Sequence, residues 1–436
     1  MTTEIGGRKV FVSEESHEMR YKLWRRYVPV LYEFVATELA DWPASCVELI
    51  DPANGHWAHA FEDGEKPEQT TRLMITGTYT GDKQKDSIDI VRLEIPPPYD
   101  YASRDDDDDE SVEEEQDEDE RFRVHSTKLS SCVHDDEVLS ARCMPQRSTI
   151  IATKSSSALY LYDYRQGLDA PKKSQLAKID GVALAWSPLK QGLLLTGADN
   201  GETITMDVSL GAGARASSAK NKERVSSHKA PVMSVEWHPN DINRYFSCAQ
   251  NGSISSFDIR ETKCVSTVEN SHGPKFGVNC VSFNPRPQSN YFLSGVGWKE
   301  SSGNDEMSVP ELPEIKLWDD RALGKGCVHE FVPPSSCILH DDLGVQVYQT
   351  RWSPHNPDQF AACSGDGTVR VWDVSRIGAK IEDERDAADG PPELVFIHAG
   401  HTDPVSDLQW DSTYVNTFVS VADDNISMYW RPLIRL

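Results

Sequence analysis

Residues 352–373 read WSPHNPDQFAACSGDGTVRVWD, and this stretch decides the architecture. An aromatic residue followed by x-Pro opens it, two short apolar runs come next, and Trp372-Asp373 closes it. The second run, Thr368 to Trp372, alternates as a half-buried strand does, and Asp366-Gly367 ahead of it marks a hairpin. Asp-Gly and Asn-Gly pairs favour the type I′ turn, in which both central residues take positive φ, so that turn is expected here. The same frame recurs along the chain. Trp186-Ser-Pro188 leads to Met206-Asp207 and Trp237-His-Pro239 to Phe257-Asp258, each with 21 residues from first aromatic to Asp, as from Trp352 to Asp373. Trp410 to Arg431 is also 21, Cys143 to Asp163 is 20, and Phe283 to Trp318-Asp319 is stretched to 36 by a polar insertion near 298–313. His134, His228 and His401 stand nine residues ahead of their aromatic positions, and His272 and His340 lead theirs by 11 and 12. Further turn pairs fall at Asn200-Gly201, Asn251-Gly252 and Asp424-Asn425.

Each copy is therefore a small antiparallel sheet that cannot bury its faces alone, and stacking copies supplies the missing cover. This is the WD-repeat signature, with one four-stranded blade per copy. The expected fold class is all-β: a seven-bladed WD-repeat β-propeller with an N-terminal α-helix packed on its side. Six copies occupy 124–431, and the strand-like runs Thr71–Thr76 and Ser87–Leu93 within 44–95 supply a seventh blade that closes the ring and removes free sheet edges. The signature implies a buried polar set in blade six, His340, Ser364, Asp366 and Trp372, locking the turn. A hydrolase triad is the competing reading of such residues, but the set follows the repeat spacing and no G-x-S-x-G elbow is present. No P-loop, H-E-x-x-H or dinucleotide fingerprint appears, so no enzyme, cofactor or metal site is expected.

The formal net charge of −26 disfavours nucleic acid and anionic membranes as direct partners and favours basic proteins. Nine scattered cysteines without a C-x-x-C pair fit a reducing compartment, most of them as small core residues. The opening MTTEIGGRKV lacks a secretory apolar run, and no apolar stretch nears the length of a membrane span, so a soluble intracellular chain is expected.

Three segments depart from the repeat, and binding proteins tend to carry specificity in such places. The domain reading is 1–43 as an N-terminal helical segment, 44–436 as the propeller, 100–121 as a disordered acidic loop within it, and 377–393 as an acidic double-proline binding loop. Between Glu14 and Leu39, apolar residues at Leu23, Trp24, Tyr27, Val28, Leu31, Phe34, Val35 and Leu39 follow a helical period. Pro29 predicts one helix ending near Val28 and a second beginning at the proline. The apolar band is broader than one contact with the flank requires, leaving part of it for a guest helix. The run 105–120, DDDDDESVEEEQDEDE, holds 13 carboxylates and no base, too dense in like charge to pack. Between 377 and 400 the chain crosses Glu382 to Asp389, turns at Gly390-Pro391-Pro392 and returns through Leu394–Ile397, setting carboxylates beside an apolar wall. That pairing suits an amphipathic helix bearing arginines.

With these segments in view, the chain resembles the retinoblastoma-associated histone-binding WD-repeat proteins, the small-subunit family of chromatin assembly factor. The likeness is carried by Tyr21-Lys-Leu-Trp24, Pro29 to Tyr32, Asp41-Trp-Pro43, Met144-Pro-Gln146 with Ile150 to Lys154, Tyr348 to Pro354, and Asp389 to His398. The resemblance implies a groove for the first helix of histone four between the N-terminal helix and the double-proline loop. Its apolar floor would be Leu31, Phe34, Val35, Phe396 and Ile397, beside Pro391 and Pro392. Asp386 and Asp389 would pair with arginines, supported by Asp383 and Glu384. The family also has an acidic upper mouth that receives arginine- and lysine-rich tails, including that of histone three. Glu137, Asp180, Asn279, Tyr348 and Asp423 occupy its positions here. Leu139, Ser140, Val182 and Met233 stand where the family tends to carry polar, aromatic or acidic residues, which retunes the mouth or closes it to tails. Implied partners are core histones, especially histone four, and subunits of chromatin assembly, deacetylase, acetyltransferase or methyltransferase complexes, with residence in the nucleus and, as a second compartment, the cytoplasm.

Two other readings stay open. The acidic run is similar to that of glutamate-rich WD-repeat proteins of ribosome assembly, which would make the chain a chaperone for basic ribosomal proteins. Tyr162-Asp-Tyr-Arg165, Phe257-Asp-Ile-Arg260 and Trp318-Asp-Asp-Arg321 suggest a cullin ubiquitin-ligase substrate receptor, although Arg after the closing Asp is common in ordinary blades.

Overall fold

The computed structural model describes residues 14–433 except 53–55, 58–59, 62–69, 82, 96–124, 170, 209–219, 227, 262, 299–312, 335–345 and 381–389, together with 3–5 and 8–10. The repeats build seven four-stranded antiparallel sheets, the blades of a propeller. Blade one comprises Ala44–Ile50, Thr71–Thr78, Ser87–Glu94 and His125–Val133. Blades two to six begin with the inner strands Ser140–Met144, Leu184–Trp186, Val232–Trp237, Gly277–Phe283 and Val347–Trp352. Blade seven takes Val405–Trp410, Phe418–Ala422 and Ile426–Pro432 from the C-terminal end, and its outer strand, Tyr32–Leu39, from the N-terminal end.

That outer strand corrects two expectations. Helix α1 spans Glu14–Leu31 without a break, and no second helix begins at Pro29. The proline falls in the last turn, where packing of the helix against the blades outweighs the lost backbone bond. Tyr32 to Leu39, read above as helical, then pairs with Ile426–Pro432 and closes the ring. Its apolar residues serve a sheet instead of extending the helix. Blade one likewise needs more than 44–95, because His125–Val133, beyond the acidic run, is its fourth strand.

The repeated aromatic has a single job. The indole N–H of Trp186, Trp237, Trp352 and Trp410 donates to the inner-strand carbonyl of the preceding blade, at Arg142, Ala185, Ser282 and Arg351, over 2.9–3.3 Å. Reciprocal bonds run from the backbone N–H of Leu49, Cys143 and Phe283 to side chains of Gln409, Glu48 and Glu236. The closing seam is reinforced further. Arg72 of blade one meets Asp411 of blade seven at 2.9 Å in full burial, and Tyr429 Oη donates to the same carboxylate. A buried pair of this kind costs about 3–5 kcal/mol to break from one side.

The hairpin turns also differ from expectation. Gly201, Gly252 and Gly367 have positive φ, but the residues before them do not. Each glycine N–H bonds three residues back, and the preceding Asn or Asp side chain accepts from the N–H two residues on, as Asn200 does from Glu202 and Asp366 from Thr368. These are type I turns with a left-handed glycine at the fourth position, favoured because the Asx side chain supplies a local acceptor. The locking set appears complete in blade seven. His401 bonds Ser420 at 2.8 Å and Asp424 at 3.1 Å, and Trp430 donates to Ser420 at 3.2 Å. In blade six, where that set was expected, Asp366 instead pairs with buried Arg370, and His340 lies outside the described residues. Five of the eight described cysteines are buried and all eight are free.

The buried histidines make folding pH-dependent. His228, held between Ser247 and Ser253, is depressed to about 4 by burial, and His272, bonded to Ser294, to about 3. Both are neutral in either state above about pH 6.5, so their contribution is whole there. It is lost as pH falls toward 4, because the unfolded chain takes up protons that the fold refuses. Glu48 and Glu236, pushed up to about 7 by burial, run the other way and lose stability as pH rises toward 7. The difference between a variant and the wild type is therefore the readout. Urea unfolding of His228→Gln should show a loss of stability between about pH 7.5 and pH 5 that is smaller than wild type by roughly 2 kcal/mol. Equal losses would contradict the assignment.

Candidate functional site on the flank of blades six and seven

Helix α1 lies across blades six and seven because its inner face is specified for that seat. Arg20 donates to the carbonyls of Asp366 and His401, tying the helix to both blades. Trp24 is buried over Gly400, where a Cβ would come within 2.7 Å of the indole, so bare backbone is required. The indole N–H donates to Tyr32 Oη at 2.9 Å, and that hydroxyl reaches His398 Nδ1 at 2.8 Å. His398 stacks on Trp430 at 4.3 Å, and burial holds it well below the usual imidazole range. A neutral ring accepting from Tyr32 completes the chain from helix to blade.

Leu31, Val35, Val28 and Tyr21 pack against the cluster that contains Phe396, Tyr32 and Trp24. Leu31 and Phe396 thus share one side of the molecule. Phe396 is buried edge-on beneath Tyr32 at 5.3 Å, while Ile397, next along the strand, is half-buried. Phe34 corrects the expected groove floor. It is buried in the core between blades seven and one, stacked on Tyr429 at 5.5 Å with Arg431 over its ring. The physical reason is again the strand, whose alternation sends 34 away from 35. The double proline enters the outer strand of blade six beside Trp372, at the end opposite the Asp366-Gly367 turn. Leu394 N–H closes a turn onto Pro391, and Glu393 is buried against His329 at 3.0 Å. Asp383, Glu384, Asp386 and Asp389 lie outside the described residues.

The outer face of α1 is apolar too. Met19, Leu23, Tyr27 and Val30 are 71, 55, 47 and 65% exposed, one stripe at helical spacing. Leu23 and Tyr27 were legible in the apolar band. Met19 and Val30 were missed, since only the structure separates the buried face from the open one.

At the propeller axis a channel of about 730 Å³ runs between the inner strands. Asn279 and Tyr348 line its upper end with Leu139, Val182 and Met233. Asp180 and Asp423 are exposed near that mouth and Glu137 is half-exposed. Farther in, Arg142 pairs with Asp407 at 3.0 Å, near Glu48, Glu236 and Arg351. Arg165, Arg260 and Arg321, the basis of the ligase-receptor reading, each fold back on the Asp two residues before them. Among the described residues no His, Cys, Asp or Glu cluster could hold a metal ion.

A ring of WD blades with a helix strapped to its flank and an apolar stripe left open is a protein-binding platform. The family model for histone-binding protein RBBP4 and its counterpart in the CAF1 complex matches residues 19–97, taking in most of α1, the closing strand and blade one, and a WD-repeat model matches 336–373. Histone acetyltransferase type B subunit 2 of Debaryomyces hansenii is 27% identical over 429 residues, covering 97% of this chain and 91% of that protein. The chain is of the retinoblastoma-associated histone-binding WD-repeat type.

The Trp24–Tyr32–His398 chain should be measurable. Tyr32→Phe leaves an indole donor and an imidazole acceptor buried without partners, which costs about 1–3 kcal/mol. The melting temperature should fall and protease cleavage within α1 should quicken, with both unchanged if the hydroxyl is idle.

Proposed function

We propose that this protein is a non-catalytic histone-binding subunit of chromatin complexes, holding a basic histone helix, foremost that of histone four, between α1 and the double-proline loop. The observation that carries this reading is the open stripe Leu23, Tyr27 and Val30 on a helix whose other face meets Phe396. A guest helix laid along that stripe would bury its own apolar side there. Leu31, Val35 and Ile397 would extend the floor, and Pro391 and Pro392 would stiffen the wall. Asp386 and Asp389, with Asp383 and Glu384 beside them, would neutralise the guest's arginines by charge-assisted bonds.

Each buried Å² of apolar surface contributes about 25 cal/mol before association costs, and charge adds on-rate and choice of partner. Such a pairing is salt-sensitive with a salt-resistant remainder. The matched family model and the acetyltransferase subunit that resembles this chain support histones as the guest and an acetyltransferase complex as one host. Chromatin assembly, deacetylase and methyltransferase complexes are further hosts of the same kind, and the nucleus is the compartment this work requires.

Two variants test the groove from its two sides. Asp386→Ala with Asp389→Ala, and separately Leu23→Ser with Val30→Ser, should each abolish retention of histone four in a pull-down. Neither should move the melting temperature, since none of these side chains belongs to the described core. Retention by both variants at the wild-type level would refute the groove.

A further inference from the structure

The upper end of the axial channel has a chemistry of its own. In five blades the inner strand is irregular at one place, and the residue skipped in the pairing is Ser45, Met233, Asn279, Tyr348 or Ser406. A β-bulge re-aims the side chain it carries. Leu139 and Val182 hold the same position, four before the inter-blade staple residue, in blades two and three. All seven line the channel and all are half-exposed. The bulges therefore set one rung of seven side chains around the mouth, and not one of the seven is charged. Leu139, Val182 and Met233 make a continuous apolar arc over blades two to four, and Trp298, 37% exposed, joins the lining from blade five.

Deeper in, the side chains are charged but engaged. Asp407 is bonded to Arg142, Glu48 accepts from Cys143 N–H, and Glu236 accepts from Phe283 N–H. These groups narrow the channel, so a guest side chain enters from above and stops at the rung. At the rim, carboxylates flank the rung itself. Glu137 and Asp180 lie two residues before Leu139 and Val182, and Asp423 accepts from Ser406 at 2.9 Å. Exposed Lys229 and Lys275 precede blades four and five, so the negative sector is the half over blades seven to three.

We infer that the upper mouth seats one large apolar side chain of an extended peptide, with a cationic neighbour held at the rim by Glu137, Asp180 and Asp423. A cationic side chain pushed onto the axis would leave water for Leu139, Val182 and Met233 with no partner at that level, which is strongly unfavourable. The rim supplies the complementary charge that steers and orients such a peptide. This selectivity is independent of the flank groove, because it uses a different face and different residues.

The test uses the full-length protein and three labelled peptides identical except at one central position, leucine, alanine or arginine, set between two arginines. Fluorescence anisotropy should rank the leucine peptide about tenfold or more tighter than the other two. Val182→Thr with Met233→Gln keeps side-chain volume and should bring the leucine peptide down to the alanine level. Glu137→Gln with Asp180→Asn should weaken all three alike. A histone-four helix peptide, measured in parallel, reports on the groove and on folding. Leu139→Asn replaces the double variant should its melting transition be lost. Arginine binding as tightly as leucine, no binding by any of the three, or a leucine preference that survives the rung variants would overturn the inference.

Discussion

The pairing of Tyr32–Leu39 with Ile426–Pro432 is the constraint on which the rest depends. Six blades can stack in sequence, but the seventh has only three strands until the N-terminal segment returns to complete it. Once that strand is placed, the helix before it has no freedom to be elsewhere, because Leu31 ends α1 and Tyr32 begins the strand without a linker. Ring closure and the flank site are thus one structural event. The Trp24–Tyr32–His398 chain joins them chemically, since a residue of the closing strand holds both the helix and the outer strand of blade six.

The repeat was legible because its physics is periodic. An aromatic that bonds the previous blade, a turn with an Asx acceptor and a closing Asp must recur at fixed spacing if every blade is to meet its neighbour in the same way. Where a role is shared across the chain ends, the pattern failed. Tyr32 to Leu39 carries apolar residues at intervals that suit a helix continuing from α1, and nothing local shows that its partner lies at the far end of the chain. Phe34 was lost to the groove for that reason and gained by the core of the closing seam. The turns erred differently. Asn-Gly pairs are equally at home in type I′ turns and in type I turns with a trailing glycine, and the loop length that separates them is set by strand register.

The flank site was half legible. The breadth of the apolar band showed that α1 has more hydrophobic surface than one contact consumes, which is a statement about amount. Which residues are left over is a statement about rotation, and that is fixed by Arg20 reaching two carbonyls and by the bare backbone of Gly400. Neither is visible without the blades in place. The mouth was legible as a departure, since Leu139, Val182 and Met233 stood out against the family's polar preference. Their grouping on one rung waited for the bulges.

Flank and mouth divide their labour in the same physical way. In each, apolar side chains sit on elements whose backbone is fully bonded, the helix in one case and the inner strands in the other. The carboxylates assigned to each sit on connecting segments around them. Rigid apolar surface supplies affinity at little ordering cost to the protein, because the groups that bury are already held. Charges on the connections act at longer range and are screened by salt, so they govern encounter more than residence. The two sites also have no shared movable part. The blades between them are stapled by indole bonds and fully paired sheets, so occupancy of one has no second conformation through which to alter the other. A scaffold of this design can hold two partners at once without making either conditional on the other, which is what a protein shared among several assemblies requires.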